Sequence, residues 1–233
     1  MIALQYQIKQ HHKTNIIMKL FSILSALLLS VVAVSANAQF ESAKEVYSSP
    51  KLSSVIPNHK SVAILPFSAT ITYKRPPKNY DADAHKSEEK ALSTGLQSSM
   101  YTFLLRKQSS YSCSFQDVDR TNSLLKQAGV YDKLDELTQD SICKILKVDA
   151  VIKAKYAYEK TASEGAAIAK TVLFGSLGSK TGSGGLTMQI YNGTDGELLW
   201  RFYKAMNDDV LSSTDELIER MMRKVARNFP YDK

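Results

Sequence analysis

A turn sequence between two alternating segments constrains the fold more than any other feature of the chain. Asn192-Gly-Thr-Asp-Gly196 favours the positive φ angles of a tight turn. Apolar residues alternate with polar ones on both sides of it, at Leu186, Met188, Ile190, Leu198, Trp200 and Phe202. This pattern predicts a β-hairpin with one buried face. Asn192-Gly-Thr also matches a glycosylation sequon, which the turn explains without a sugar.

The rest of the chain alternates between strand-like and helix-like patterns. A strand is predicted at 61–67, where residues 62–67 are all apolar, as in a strand covered on both faces of a sheet. Shorter strands are predicted at 112–115 and 150–158. Helices are predicted by apolar spacing at 87–107, from 117 to Gly129, at 140–147 and at 212–228. The order β-α-β-α-α-β-β-β-α indicates an α/β fold, a mixed β-sheet with packed helices.

The first 38 residues have the character of an export signal. Residues 20–36 are almost purely apolar, Lys19 precedes them, and Ala36-Asn37-Ala38 has the small-x-small pattern of a cleavage site. We expect cleavage after Ala38, a mature chain that begins at Gln39, and translation that starts at Met18. A retained N-terminal anchor is the alternative. No cysteine stands near the cleavage site, so no lipid anchor is expected.

Three regions are therefore expected: a leader (1–38), an irregular N-terminal arm (39–60) and a single α/β domain (61–233). The domain carries a glycine-rich insertion at 163–185, whose middle is largely apolar. In one interpretation the insertion is a mobile arm that docks to a partner through Val172, Leu173 and Phe174. In the other, residues 166–174 form a short helix that covers the sheet. Long connections within a domain are usually functional or mobile.

Residues with catalytic or metal-binding chemistry are scarce. After the leader only His59 and His85 remain as histidines, and no zinc-binding or nucleophile-elbow motif is present. Two near matches to a phosphate-binding loop lack a required glycine. Asp81, Asp83 and His85 form the densest polar group, best explained as a solvated loop. We therefore predict no catalytic, cofactor-binding or metal-binding residues, no cofactor, and no enzymatic activity.

The charge and the cysteine content of the chain bear on which partners it can bind and on whether it forms a disulfide. The chain carries a net +7, of which Lys9, Lys13 and Lys19 belong to the leader, and the remaining +4 does not indicate a nucleic-acid-binding protein. Cys113 and Cys143 could form a disulfide in an exported protein or remain two buried thiols. The final helix has a basic face that could meet acidic lipid as a peripheral membrane contact, or could simply be solvated, formed by Arg220, Arg223, Lys224 and Arg227.

Several short motifs resemble those of the TolB-N-terminal, CsgG-like and LpoB-like bacterial envelope proteins. They lie between Ser61 and Tyr231: the strand 62–67, the segments 118–125 and 145–152, the hairpin 191–200, and Phe229-Pro-Tyr231. The resemblance implies a non-catalytic α/β domain that assembles, scaffolds or activates envelope complexes, with a protein partner and in some cases a homo-oligomer. It brings no catalytic residues with it.

Two functional hypotheses follow. The first is an exported, non-enzymatic cell-envelope protein, periplasmic or secreted, that acts through protein–protein contacts in assembly, secretion or wall synthesis. The alternative is a small-ligand-binding or hydrolytic periplasmic module. A deep polar pocket that contains His59 or His85 would favour the alternative.

Overall fold

The structure, a computed structural model, describes residues 44–160, 180–209 and 214–233. Seven strands are present in these ranges: β1 (Lys44–Ser48), β2 (Ser61–Ile64), β3 (Ser68–Tyr73), β4 (Ser114–Phe115), β5 (Ala150–Lys160), β6 (Lys180–Asn192) and β7 (Leu198–Asp209). The helices are α1 (Leu52–Val55), α2 (Ala82–Arg106), α3 (Val118–Gln127), α4 (Gln139–Leu146) and α5 (Thr214–Val225). The predicted α/β class, with helices packed on a mixed sheet, is confirmed.

All seven strands belong to one sheet, in the order β1-β7-β6-β5-β2-β4, with β3 also paired to β5. Strands β2, β3 and β4 are parallel to their neighbours, while β5, β6, β7 and β1 pair antiparallel in succession. Pro66 lies between β2 and β3, which is where the strand predicted at 61–67 is interrupted. Proline cannot donate a ladder hydrogen bond, so a break at that point is expected.

The sheet separates two apolar clusters because side chains alternate along each strand. On one face, β5 contributes Ile152 and Ala154 to the larger cluster, which includes side chains of α2 and α5. On the other face, Val151 joins the smaller cluster with Leu125 of α3 and Ile142 of α4. Trp200 is 1% exposed within the larger cluster, so its predicted burial is confirmed.

The predicted hairpin is confirmed as β6 and β7, which pair from Lys180↔Asp209 to Tyr191↔Leu198. Gly196 closes the turn at φ 71°, a left-handed conformation that glycine adopts without steric cost. Its N–H donates to the Asn192 carbonyl at 2.9 Å. The turn chemistry read from the sequence is therefore the chemistry that forms the turn.

The structure differs from the sequence predictions at three boundaries. The arm expected to be irregular contains β1 and α1, because β1 finds its partner in β7 about 150 positions away. The last residues of the predicted insertion, 180–185, belong to β6. Helix α2 begins before the predicted residue 87, because Asp81 caps it by accepting hydrogen bonds from the N–H groups of Asp83 and Ala84.

The leader and residues 161–179 lie outside the described residues, so the predicted signal peptide and cleavage site stay predictions. Within the described ranges, no helix combines the length and the hydropathy that crossing a membrane requires.

Candidate functional site

A groove opens at the carboxyl end of β2, where residues 65–67 interrupt the strand between β2 and β3. It has a volume of about 680 Å³, and its walls are the first half of α2 and residues 131–136. Residues 65–69 and part of β5 form its floor. The carboxyl ends of parallel strands are the usual location of ligand sites in open α/β sheets, so this groove is the first place to look for one.

Three of the charged side chains that line the groove have partners. Lys153 Nζ lies 2.6 Å from Asp135 Oδ1, and this hydrogen bond holds the pKa of the Asp135 carboxyl below its ordinary value. Glu89 Oε1 accepts a 2.8 Å hydrogen bond from the Ile71 N–H. His59 and His85 are not among the lining residues. With charged, hydroxyl-bearing and apolar side chains in its lining, the groove can bind a polar molecule.

His59 lies at the opposite ends of the same strands, in a buried polar cluster. Its Nδ1 is 2.8 Å from the Tyr231 hydroxyl and its Nε2 is 3.2 Å from Asn192 Oδ1. The Asn192 amide nitrogen donates to Asp195, which leaves Oδ1 to accept from the imidazole. These contacts fit a neutral imidazole that donates a hydrogen bond from Nε2 to Asn192 Oδ1 and accepts one from the Tyr231 hydroxyl at Nδ1.

Burial explains the protonation behaviour of this cluster. Desolvation lowers the pKa of His59 below its ordinary value, against smaller opposing effects of Asn192 and Asp149. Desolvation also raises the pKa of Tyr231 well above its ordinary value. The neutral His59 and the protonated Tyr231, both nearly inaccessible to solvent, form a structural clamp. The clamp ties the C-terminal tail to the start of β2.

His85 lies on α2 in a separate group of rings. Its ring centroid is 5.3 Å from that of Tyr73 and 5.5 Å from that of Tyr80. Its Nε2 is 3.4 Å from Glu89, and its Nδ1 is buried without a hydrogen-bond partner in the described chain. Because Asp81 caps α2, the polar group Asp81, Asp83 and His85 has a structural explanation. Within the described part of the chain, no group of three His, Cys, Asp or Glu side chains is placed so that it could hold a metal ion.

Cys113 and Cys143 are both buried and both free in the structure. Cys113 belongs to the larger apolar cluster and Cys143 to the smaller one. Burial raises the pKa of each thiol to about 12. This arrangement favours the second sequence alternative, two buried thiols, and the disulfide stays a prediction to be tested.

The predicted partner-contact residues Val172, Leu173 and Phe174 lie outside the described residues. The structure does describe the strands from which their segment departs. Pairing between β5 and β6 continues to Lys160↔Gly182. On the basic face predicted for the last helix, Arg223 and Lys224 are exposed and Arg220 is half-buried. Membrane association through this face stays a prediction.

Two glycines near the departure point of that segment are covered by tyrosine rings. A Cβ on Gly184 would lie 2.9 Å from the Tyr156 hydroxyl oxygen, and one on Gly185 would lie 3.2 Å from the Tyr203 ring. The two rings belong to neighbouring strands β5 and β7 and cover opposite faces of β6. The glycines are therefore part of a packed strand, which the sequence interpretation as an insertion missed.

No known family profile matches the chain, and neither does any curated protein. Lipoprotein GNA1162 from Neisseria meningitidis has a similar structure, with 13% identity, a TM-score of 0.46, and coverage of 72% of this chain and 96% of that one. The PelC dodecamer from Paraburkholderia phytofirmans is 11% identical, with a TM-score of 0.38 and coverage of 82% of this chain and 96% of that one. The LpoB C-terminal domain from Escherichia coli is 11% identical, with a TM-score of 0.32 and coverage of 68% of this chain and 94% of that one.

Similarity at this level concerns the fold alone and says nothing of a shared partner or activity. An LpoB domain is thus among the structures that this chain is similar to, whereas the TolB-N-terminal and CsgG-like parts of the resemblance stay predictions. GNA1162 is a lipoprotein. Its similarity therefore gives no support to the prediction that the present chain lacks a lipid anchor.

Proposed function

We propose that this chain is an exported, non-enzymatic protein of the bacterial cell envelope that acts through contacts with a protein partner. Part of that contact is made by the segment between β5 and β6, through Val172, Leu173 and Phe174. The proposal chooses the first of the two sequence hypotheses. A deep polar pocket that contains His59 or His85 would have favoured the alternative, a small-ligand-binding or hydrolytic module, and neither histidine lines the groove.

The length of the connection between β5 and β6 carries the proposal. The two strands are hydrogen-bonded neighbours as far as Lys160↔Gly182. Antiparallel neighbours need a loop of only about two to five residues. Here residues 161–179 join them, and the apolar run Val172-Leu173-Phe174 lies within that stretch. Connecting the strands does not require so long a segment, and long connections of this kind usually serve a function.

The described ends of the strands give this segment a fixed base. The Lys160 ammonium donates to Glu88 of α2 and lies 5.4 Å from the centre of the Tyr73 ring. Its side chain is only 18% exposed. Tyr156 and Tyr158 stack with centroids 6.2 Å apart on the same strand. A segment that departs from an ordered base starts from a defined position, which reduces the entropy lost when it binds a partner.

Replacing Val172, Leu173 and Phe174 together with serine tests the proposal. We expect the thermal midpoint to stay unchanged and a partner crosslinked in the native envelope to be lost. Leu105→Ser is the matched control, because Leu105 is an exposed apolar residue on α2, and it should change neither measurement. Early melting of the triple variant would show instead that the segment packs on the sheet, and retention of the partner would remove these residues from the contact.

Export is tested separately by N-terminal analysis of the mature protein. The small-x-small pattern at 36–38 predicts a first residue of Gln39. An exported form that still contains residues 20–38 would contradict cleavage and would support the retained anchor.

A further inference from the structure

Strand β1 ends the sheet on one side, and all five of its residues are exposed. Val46 is 42% exposed and Tyr47 is 48% exposed. In the described chain the other large apolar side chains with comparable exposure are Tyr80 and Leu105. Half of these side chains are therefore adjacent on one short strand. Exposed apolar residues grouped in this way mark an interaction surface more often than scattered ones do.

The backbone of β1 presents hydrogen-bonding groups on its outer side. Ser49 N–H donates to the Leu199 carbonyl at 2.8 Å, so Ser49 faces β7. Facing alternates along an antiparallel strand, so the N–H and C=O groups of Lys44, Val46 and Ser48 point away from β7. Within the described ranges, no strand lies beyond β1. An edge of this kind can accept a further strand.

We propose that β1 pairs with β1 of a second copy of this chain, antiparallel and centred on Val46, so that two sheets join into one. This proposal does not depend on the partner contact proposed for Val172, Leu173 and Phe174. It concerns a different surface and a different partner, and either proposal can fail without the other.

The sequence of β1 selects this register. A residue whose N–H and C=O point outward must lie opposite another such residue in the second copy. Because these are every second residue of β1, the two-fold axis that relates the copies must pass through a residue and not between two residues. An axis at Glu45 would place two carboxylates opposite each other, which is destabilising. An axis at Tyr47 would oppose Lys44 to Pro50, which has no N–H to donate. An axis at Val46 pairs all five residues and gives every outward N–H and C=O a partner.

The side chains also complement each other in this register. Val46 would meet Val46 of the partner subunit on the face where it already neighbours buried Phe202. On the other face Tyr47 would lie opposite Glu45 of the partner subunit. Arg201, the cross-strand neighbour of Tyr47, is 3.7 Å from Glu45 of its own chain. A pairing of five residues is smaller than a stable interface, so we expect a dissociation constant on the order of 100 μM.

A mixed-cysteine experiment tests the register. Tyr47 and Glu45 of the partner subunit would form a non-hydrogen-bonded pair, with Cα atoms about 4.5 Å apart, which a disulfide can span. Mixing the exported protein carrying Glu45→Cys with that carrying Tyr47→Cys should give a covalent dimer on mild oxidation. Each variant alone should give several-fold less. Cys113 and Cys143 are buried and do not compete. Equal crosslinking with and without mixing would overturn the proposal.

Sedimentation tests the association itself. The average mass of the unmodified protein should rise toward that of a dimer at high concentration. Val46→Lys places two ammonium groups at the axis and should weaken association at least tenfold. Tyr80→Lys is the matched control on another exposed apolar residue and should leave association unchanged. If the average mass stays that of a monomer at protein concentrations up to about ten times the expected dissociation constant, the proposal is overturned. Equal association of the two variants would also overturn it.

Discussion

The two edges of the sheet differ in how they are closed. At one edge the short strand β4 is followed outward by the C-terminal tail: Ser112 N–H donates to the Tyr231 carbonyl at 2.9 Å, and Tyr111 bridges to Asp232. At the other edge β1 carries five exposed residues. An unpaired edge is a liability that proteins usually protect. The proposed pairing of β1 with a second copy requires such an exposed edge.

Side-chain packing differs between the edges in the same way. At the closed edge the rings of Tyr111, Phe115, Phe229 and Tyr231 contact one another with centroids 5.5–6.4 Å apart. At the open edge Val46 and Tyr47 make no such cluster and remain about half exposed. Stability should therefore depend on the closed edge, and association should depend on the open one. The following predictions test this division, beginning with the largest expected effect.

Tyr231→Ala should lower the free energy of unfolding by about 3–5 kcal/mol, because it removes a buried ring and leaves a cavity. The matched change at the open edge, Tyr47→Ala, should cost less than about 1 kcal/mol, because its ring is half exposed. Chemical denaturation of both variants measures the difference. Similar losses for the two would show that the edges contribute equally to stability.

Tyr231→Phe should cost about 1–3 kcal/mol, because it keeps the ring but leaves the buried Nδ1 of His59 without a hydrogen-bond donor. Tyr47→Phe, at a residue that is 48% exposed, should leave the denaturation midpoint unchanged. If Tyr231→Phe were also neutral, the clamp between His59 and the tail would contribute packing alone.

Stability should fall with acid before the carboxylates titrate. Burial depresses the pKa of His59 in the folded state, so the unfolded chain binds more protons once the pH drops below about 6.5. The stabilisation is therefore complete above that pH and is lost as the pH falls through the lower, folded-state pKa. Asp135 and Asp140, whose pKa values are lowered, add their losses only below their ordinary value of 3.8.

Denaturation midpoints between about pH 4.5 and 7 measure this effect. His59→Gln removes the titrating group and should flatten the dependence in that window. An unchanged slope in the variant would assign the acid sensitivity to another group.

Local pattern was enough to predict most elements, including β4 within the strand predicted at 112–115, but not the edge strand β1. The turn residues at 192–196 predict the hairpin, and the helical spacing of Leu96, Met100 and Phe103 predicts a helix. Both patterns involve residues close in sequence, and both predictions agree with the structure. Strand β1 has no local sequence pattern that predicts a strand, because its residues are exposed and its partner β7 is distant in sequence. The His59 cluster joins residues 133 and 172 positions apart, which no periodicity reveals.

Glycine misled the prediction of β6 for a related reason. Glycine is rare in strands, so the sequence places Gly184 and Gly185 in the predicted insertion. What makes them suitable is that the rings of Tyr156 and Tyr203 lie against their backbone from the adjacent strands. That requirement comes from tertiary packing and appears only when the three strands are assembled.

Labelling of the two cysteines is the prediction with the smallest expected effect on stability, because it involves no mutation. It distinguishes two buried thiols from a disulfide. With the pKa of each thiol raised to about 12, only ~10⁻⁴ of either is ionised at pH 8, and the thiolate is the reactive form. Both thiols are also buried, so the folded protein should react with a thiol reagent far more slowly than the unfolded one. Unfolding without reductant should then release two reactive thiols per chain. A disulfide would release none, and it would require Cys113 at the closed edge to meet Cys143 in the other apolar cluster. Rapid labelling of Cys113 in the native protein would show instead that the closed edge opens, and both edges would then be accessible to different extents.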